Sequence, residues 1–320
     1  MARIIDIKTG TELNDKGAVR PGSLRAWFLA ARPKTLSGAA VPVMLGTAHA
    51  VREAGIDILF ATPAVLLCFL FAFIMQIDAN FVNDYYDCLK GRDNEERLGP
   101  LRACQQGWVT MKAMRYAIAI TTFLACLVGL PLAYYGGVEM IAVGVACVIF
   151  CFLYTTCLAS LGLGDVLVLL FFGIVPVCCT YYVAVPEALR TFSHIPWLSG
   201  IACGLVVDTL LIVNNYRDID NDAASGKKTL AVYLGREKME WLYLCLPTAA
   251  LVLMLLQLSW ESGNILVCFM VYFLYIQTWN AMRSIGRGKE LNKVSQAAIV
   301  QGFQRCLGVQ GWERENTPGR

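Results

Sequence analysis

The sequence predicts an all-α fold, a multi-span transmembrane helical bundle, and three observations predict it. The 320-residue chain is 57% hydrophobic and only 16% charged, against roughly 25% charged residues in soluble domains. Its mean hydropathy is +0.55, and apolar stretches long enough to cross a ~30 Å hydrocarbon layer recur along it. Basic residues, finally, gather in alternate loops, as the positive-inside rule requires of a multi-pass protein.

Taken in order, residues 1–26 form a polar segment with no cleavable signal peptide evident, because the N-terminus stays polar until Trp27. Residues 27–283 form the transmembrane domain, with eight spans at about 35–51, 60–82, 114–134, 138–156, 164–184, 197–216, 240–260 and 264–282. The first span is the weakest, being short and rich in Gly, Ala and Pro. Before it lie Arg3, Lys8, Lys16, Arg20, Arg25, Arg32 and Lys34. Lys90, Arg92, Arg97, Arg102 and Lys112 follow span 2, and Lys227, Lys228, Arg236 and Lys238 follow span 6. The loops after odd-numbered spans hold only Arg52 and Arg190. The N-terminus and the loops after spans 2 and 6 are therefore expected in the cytoplasm. Residues 284–320 read as a polar, disordered tail. Within it Gln296–Val309 is too short and too interrupted by polar residues to span.

The net charge of +3 and the lack of a basic-aromatic stripe give no sign of a nucleic-acid partner. The thirteen cysteines lie mostly inside spans without metal-ligand spacing, so they read as small apolar residues that stay reduced.

The chemistry lies where spans 2 and 6 end. There the chain carries Asn83-Asp-Tyr-Tyr-Asp87 and Asn214-Asn-Tyr-Arg-Asp218-Ile-Asp-Asn-Asp222. Carboxylates at a membrane boundary are costly and usually functional. Asn83 and Asp87 are four apart, as are Asn214 and Asp218, and Asp218 and Asp222, so each set shares one helix face. Asn80 and Lys90 continue the first line; Asn215, Arg217 and Lys227 accompany the second. Oxygen ligands stacked this way suit a hard cation such as Mg2+, and basic residues just beyond suit the remaining charge of a diphosphate. Helix capping and solvated loop charge would explain one such cluster. Two clusters of matched spacing on one side favour a site built from two halves. The four helices between them make the chain a divergent tandem repeat of a four-helix unit, which places a ligand where the halves meet.

On these residues the chain resembles the UbiA-type intramembrane prenyltransferases, whose Asn-x-x-x-Asp and Asp-x-x-x-Asp motifs match Asn83/Asp87 and Asp218/Asp222. Arg32-Pro-Lys-Thr-Leu36, Asn80–Asp87, Arg97-Leu-Gly-Pro-Leu-Arg102, Gly162-Leu-Gly-Asp165 and Gly226–Gly235 resemble those members that prenylate a naphthoate. The resemblance covers roughly residues 25–283. It implies transfer of a polyprenyl group from a polyprenyl diphosphate to 1,4-dihydroxy-2-naphthoate with loss of CO2, in the lipid bilayer and with Mg2+. It implies Asn83, Asp87, Asp218 and Asp222 as metal ligands. Lys34, Asn80, Lys90, Arg97, Arg102, Tyr154, Asn214, Asn215, Arg217 and Lys227 are implied as substrate-binding. Asp84, Asp93 and Asp165 are the catalytic candidates, the last two for orienting or deprotonating a ring hydroxyl. Phe73, Tyr85, Tyr86, Tyr154, Phe171 and Phe172 are the aromatics that could line an apolar pocket. The alternatives are another aromatic acceptor such as 4-hydroxybenzoate, or an ion-coupled transporter.

Two departures from the family pattern stand out. The ninth helix of the family is expected to be missing. Its Tyr-x-x-x-Lys motif is broken as well, because Leu158 stands where the lysine would follow Tyr154.

Overall fold

A computed structural model describes residues 19–55, 57, 63–91, 98–190, 194–257, 262–288 and 290–291. The tail 292–320, the segment 1–18, and Asp93 and Arg97 lie outside the described residues. The described residues hold helices and no strand. They are α1 (Leu24–Ala31), α2 (Leu36–Ala54), α3 (Ala64–Leu89), α4 (Met111–Gly129), α5 (Leu132–Gly136) and α6 (Glu139–Thr156). There follow α7 (Gly164–Ala184), α8 (Ile195–Ala224), α9 (Leu230–Leu234), α10 (Arg236–Leu255) and α11 (Ser262–Ile285).

Six stretches are long and apolar enough to cross a membrane: α3, α4 with α5, α6, α7, α8 and α10. Helices α2 and α11 stand where the first and last predicted spans lie. The chain is thus a multi-pass membrane protein with a helix at each of the eight expected places. The repeat shows in the packing. The first helices of the two halves, α2 and α7, pack on each other, while the second helix of each half packs on the third, α3 on α4 and α8 on α10.

Local chemistry sets the helix ends. Ser23 caps α1, its hydroxyl accepting from the Ala26 amide at 3.2 Å, and Thr110 does the same for α4 through the Ala113 amide at 3.2 Å. Arg32 closes α1 in the left-handed region (φ 52) just before Pro33, where proline disfavours further helix. Inside α7 the five residues Leu170–Ile174 form a π-helical turn. Pro176 has no N–H to give the Phe172 carbonyl, four residues back. The Cys203 thiol of α8 donates to that carbonyl instead, at 3.7 Å.

Around that turn α7 and α8 meet backbone to backbone. A Cβ on Gly173 would stand 2.4 Å from the Gly200 carbonyl oxygen, and one on Gly204 2.7 Å from that of Leu169. Only glycine permits this approach, as small residues do between membrane helices generally. The same contact fixes how close α7 and α8 come within the second half.

Candidate functional site

Among the described residues α3 and α8 are the longest helices with unbroken α geometry, 26 and 30 residues. Both run on past their apolar portion, so their last two to three turns carry the Asn/Asp motifs as regular helix. Asn83 and Asn214 thereby reach the wall of one cavity of about 350 Å3. Its lining is otherwise largely apolar and comes from α2 through α8, including Phe71, Met75, Cys147, Phe150, Tyr154, Phe171, Phe172 and Leu211. Of the aromatics expected there, Tyr154, Phe171 and Phe172 line it. Phe73, Tyr85 and Tyr86 do not: Tyr85 and Tyr86 pack against the core between α1, α3 and α4, and Phe73 stacks on Phe69 of its own helix. Phe71 and Phe150 take their places.

One or two helical turns beyond those asparagines stand the carboxylates, each paired with a cation. Asp87 holds Arg102 Nη2 at 2.9 Å. Asp218 receives Arg217 twice, Nε to Oδ1 at 2.8 Å and Nη2 to Oδ2 at 2.5 Å, and Arg217 also donates to Asn214 Oδ1 at 3.1 Å. Asp222 lies 3.5 Å from Lys227 Nζ. Asp222 is within electrostatic reach of both Asp218 and Asp87, so the two motifs, one from each half, meet in one place. Asn83 accepts a hydrogen bond from the Thr155 hydroxyl at the end of α6.

Two predicted site residues turn out to hold the framework. Asp84 is buried and accepts from the Ala103 and Cys104 amides at 2.8 and 3.0 Å. With each oxygen accepting one of these amides, Asp84 acts as a loop anchor. The anchored loop then delivers Arg102 to Asp87, one turn further along α3. Asn80 donates to the Ala31 carbonyl and the Thr35 hydroxyl, both at 2.9 Å, and so ties α3 to the elbow between α1 and α2 rather than facing a substrate. Asn215 is buried. Lys34 is exposed in the short 3-10 turn before α2.

Burial, and after it the charge of neighbouring Asp84, raises the Cys104 thiol well above the ordinary thiol range.

Lys90, the C-cap of α3, donates from Nζ to the Thr156 carbonyl at 2.6 Å, which puts an ammonium at the negative end of α6.

Sequence reasoning missed two buried carboxylates. Asp78 accepts from the Thr121 and Thr122 hydroxyls. Asp208 on α8 lies within electrostatic reach of Asp165 on α7, and Tyr154 is within reach of both. The Oδ1 atoms of Asp165 and Asp208 have no hydrogen-bond partner. The signal was available, since an ionisable residue inside an apolar span is functional by default.

Among the described residues no group of three His, Cys, Asp or Glu side chains is gathered to hold a metal ion. The donor set nevertheless fits a hard cation. Asn83, Asp87, Asp218 and Asp222 offer oxygen alone, and Asp222 Oδ2 is buried without a hydrogen-bond partner. Closing such a site would require Asp87 and Asp218 to exchange their guanidinium partners for the metal.

Residues 39–294 match the UbiA prenyltransferase family. The 1,4-dihydroxy-2-naphthoate octaprenyltransferase of Escherichia coli K12 is 37% identical over 239 residues, covering 71% of this chain and 74% of that one. Those of Haemophilus influenzae and Mycobacterium tuberculosis are 36% and 34% identical, covering 67% and 72% of this chain and 71% and 77% of theirs. Among solved structures, the apo UbiA homolog from Aeropyrum pernix K1 superposes with a TM-score of 0.62 at 16% identity, over 89% of this chain and 98% of that one. A UbiA homolog from Archaeoglobus fulgidus bound to DMAPP and Mg2+ gives 0.55 at 13% identity, over 89% and 100%. At those identities the structural likeness speaks for the fold alone.

Proposed function

The chain belongs to the UbiA prenyltransferase family, and on that premise we propose that it transfers a polyprenyl group from an allylic polyprenyl diphosphate to 1,4-dihydroxy-2-naphthoate, with loss of CO2, giving demethylmenaquinol. The observation that carries this reading is the apolar cavity whose wall includes one asparagine from each half, Asn83 and Asn214, next to three carboxylates with basic partners. An isoprenoid tail gains about 0.8 kcal/mol per CH2 on leaving water, and the cavity offers it an apolar bed.

In the reaction the allylic C–O bond breaks and diphosphate leaves with the electron pair. A π pair of the electron-rich ring closes the new C–C bond at the carbon that bears the carboxylate. Loss of CO2 returns the electrons of the C–CO2 bond to the ring. Asp87, Asp218 and Asp222, with Asn83, would hold Mg2+, which when bound supplies charge neutralisation to the leaving diphosphate. Arg102, Arg217, Lys227 and Lys90 draw the departing oxygens toward the protein edge by charge-assisted hydrogen bonds. The apolar walls keep water from the allylic carbon while it carries positive charge. Asp165, beside Tyr154, orients or deprotonates the naphthol hydroxyl. The alternating charge of the loops supports an inner-membrane setting with these loops in the cytoplasm.

The test uses isolated membranes. Asp87→Ala and Asp218→Ala should abolish Mg2+-dependent prenyl transfer to 1,4-dihydroxy-2-naphthoate, and full turnover in both would refute the assignment. Efficient prenylation of 4-hydroxybenzoate by the unaltered protein would move the acceptor to a phenolic acid.

A further inference from the structure

The cavity also bears on chain length, a property the sequence leaves open. Resting on the function proposed above, we infer that Gly144 of α6 sets which prenyl chains are accepted, and that the protein sizes only the isoprene units nearest the diphosphate.

One face of α6 lines the cavity from Tyr154 through Phe150 and Cys147 to Gly144 and Met140. At ~1.5 Å per residue Gly144 lies about 15 Å from Tyr154 along the helix, and Met140 about 21 Å. On α3 the corresponding descent from Asn83 reaches Ala72 at about 16 Å, and Ala72 lines the cavity too. Two of the smallest side chains therefore stand at one depth. A Cβ placed on Gly144 would meet nothing within 4 Å. Below that depth Met140, Leu132, Val43, Cys68 and Val183 still line the cavity, so its walls run on past Gly144.

An isoprene unit adds four chain bonds of ~1.5 Å each and so advances about 5 Å when extended. Two units end about 10 Å from the diphosphate carbon, short of Gly144, whereas four units reach about 20 Å and must pass it. Met140, the deepest lining residue on α6, lies at that same reach. Units beyond the fourth pass the last lining residues, and the protein does not size them.

The experiment compares geranyl, geranylgeranyl and octaprenyl diphosphates, with two, four and eight units, as donors to 1,4-dihydroxy-2-naphthoate. The unaltered protein should gain in kcat/KM from two units to four and change less than twofold from four to eight. Gly144→Leu, which adds bulk to open space, should keep geranyl transfer within twofold and lose at least tenfold with the two longer donors. Val145→Phe alters the neighbouring position, exposed on the outer side of α6, and should leave all three donors unchanged. Equal losses across the three donors in Gly144→Leu, or no loss with four units, would overturn the inference. Thermal stabilisation of the protein by each diphosphate alone should follow the same order. That readout needs no acceptor, so a wrong acceptor and a wrong length-setting residue give different results.

Discussion

Replacing Asp84 by alanine separates anchoring from catalysis. The carboxylate accepts the Ala103 and Cys104 amides at 2.8 and 3.0 Å, and Asp84 is 2% exposed. Its removal strands two buried N–H groups at about 1–3 kcal/mol each, so a loss of about 2–6 kcal/mol falls on the loop and on the core formed by Ala103, Cys104, Val109 and Met114. For a membrane domain in detergent this should appear as a lowered melting temperature. Activity should fall as well, by a different route. With the loop loose, Arg102 is no longer held 2.9 Å from Asp87, so the KM for prenyl diphosphate should rise while the Mg2+ concentration giving half-maximal rate stays within about twofold. Asp84→Asn keeps one acceptor oxygen and should lie between the two. An unchanged melting temperature, or a large shift in Mg2+ requirement with KM intact, would return Asp84 to the metal or catalytic set and refute the anchoring argument.

Other outcomes follow from the packing. Gly204→Val should destabilise by at least about 1–3 kcal/mol through overpacking against the backbone of Leu169, measured as a melting shift that Gly144→Ala lacks. Arg236 donates to the Tyr216 and Gly286 carbonyls at 3.2 and 2.7 Å and to Asp220 at 2.9 Å, joining the ends of α8 and α11 at the start of α10. Arg236→Met should cost about 2 kcal/mol, with protease cleavage after α11 as the readout. The raised Cys104 thiol stays protonated near neutral pH, and only the thiolate attacks maleimide. Mass spectrometry should therefore find exposed Cys157 labelled well before Cys104; equal labelling at neutral pH would contradict the burial described.

Hydropathy and loop charge made the spans legible because a bilayer imposes one length and one charge rule on every crossing. Their ends were less legible. Span 2 was drawn to residue 82 where apolar residues give out, yet α3 continues to Leu89, since its last turns are amphipathic and packed. The pairing of Asn83 with Asn214 could be read from spacing, because i,i+4 residues share a helix face. What Asp84 and Asn80 do could not be read. Each belongs to the same motif as its neighbours, and only the path of a loop or of α1 decides which oxygen or amide it meets. Lys90 escaped for a similar reason: its partners are carbonyls of α6, distant in sequence, and no side-chain pattern marks them.

Where α7 and α8 touch through Gly173, Gly200 and Gly204, no layer of side chains lies between the two backbones. Such a joint transmits displacement and absorbs almost none. In α6, by contrast, Thr155 is the buried residue of an 18-residue helix. A directed-evolution campaign seeking bulkier aromatic acceptors should therefore find its permissive positions concentrated on α6, with the α7–α8 seam nearly silent. The tolerance map of such a library would trace which wall of the cavity is pliant and which is keel.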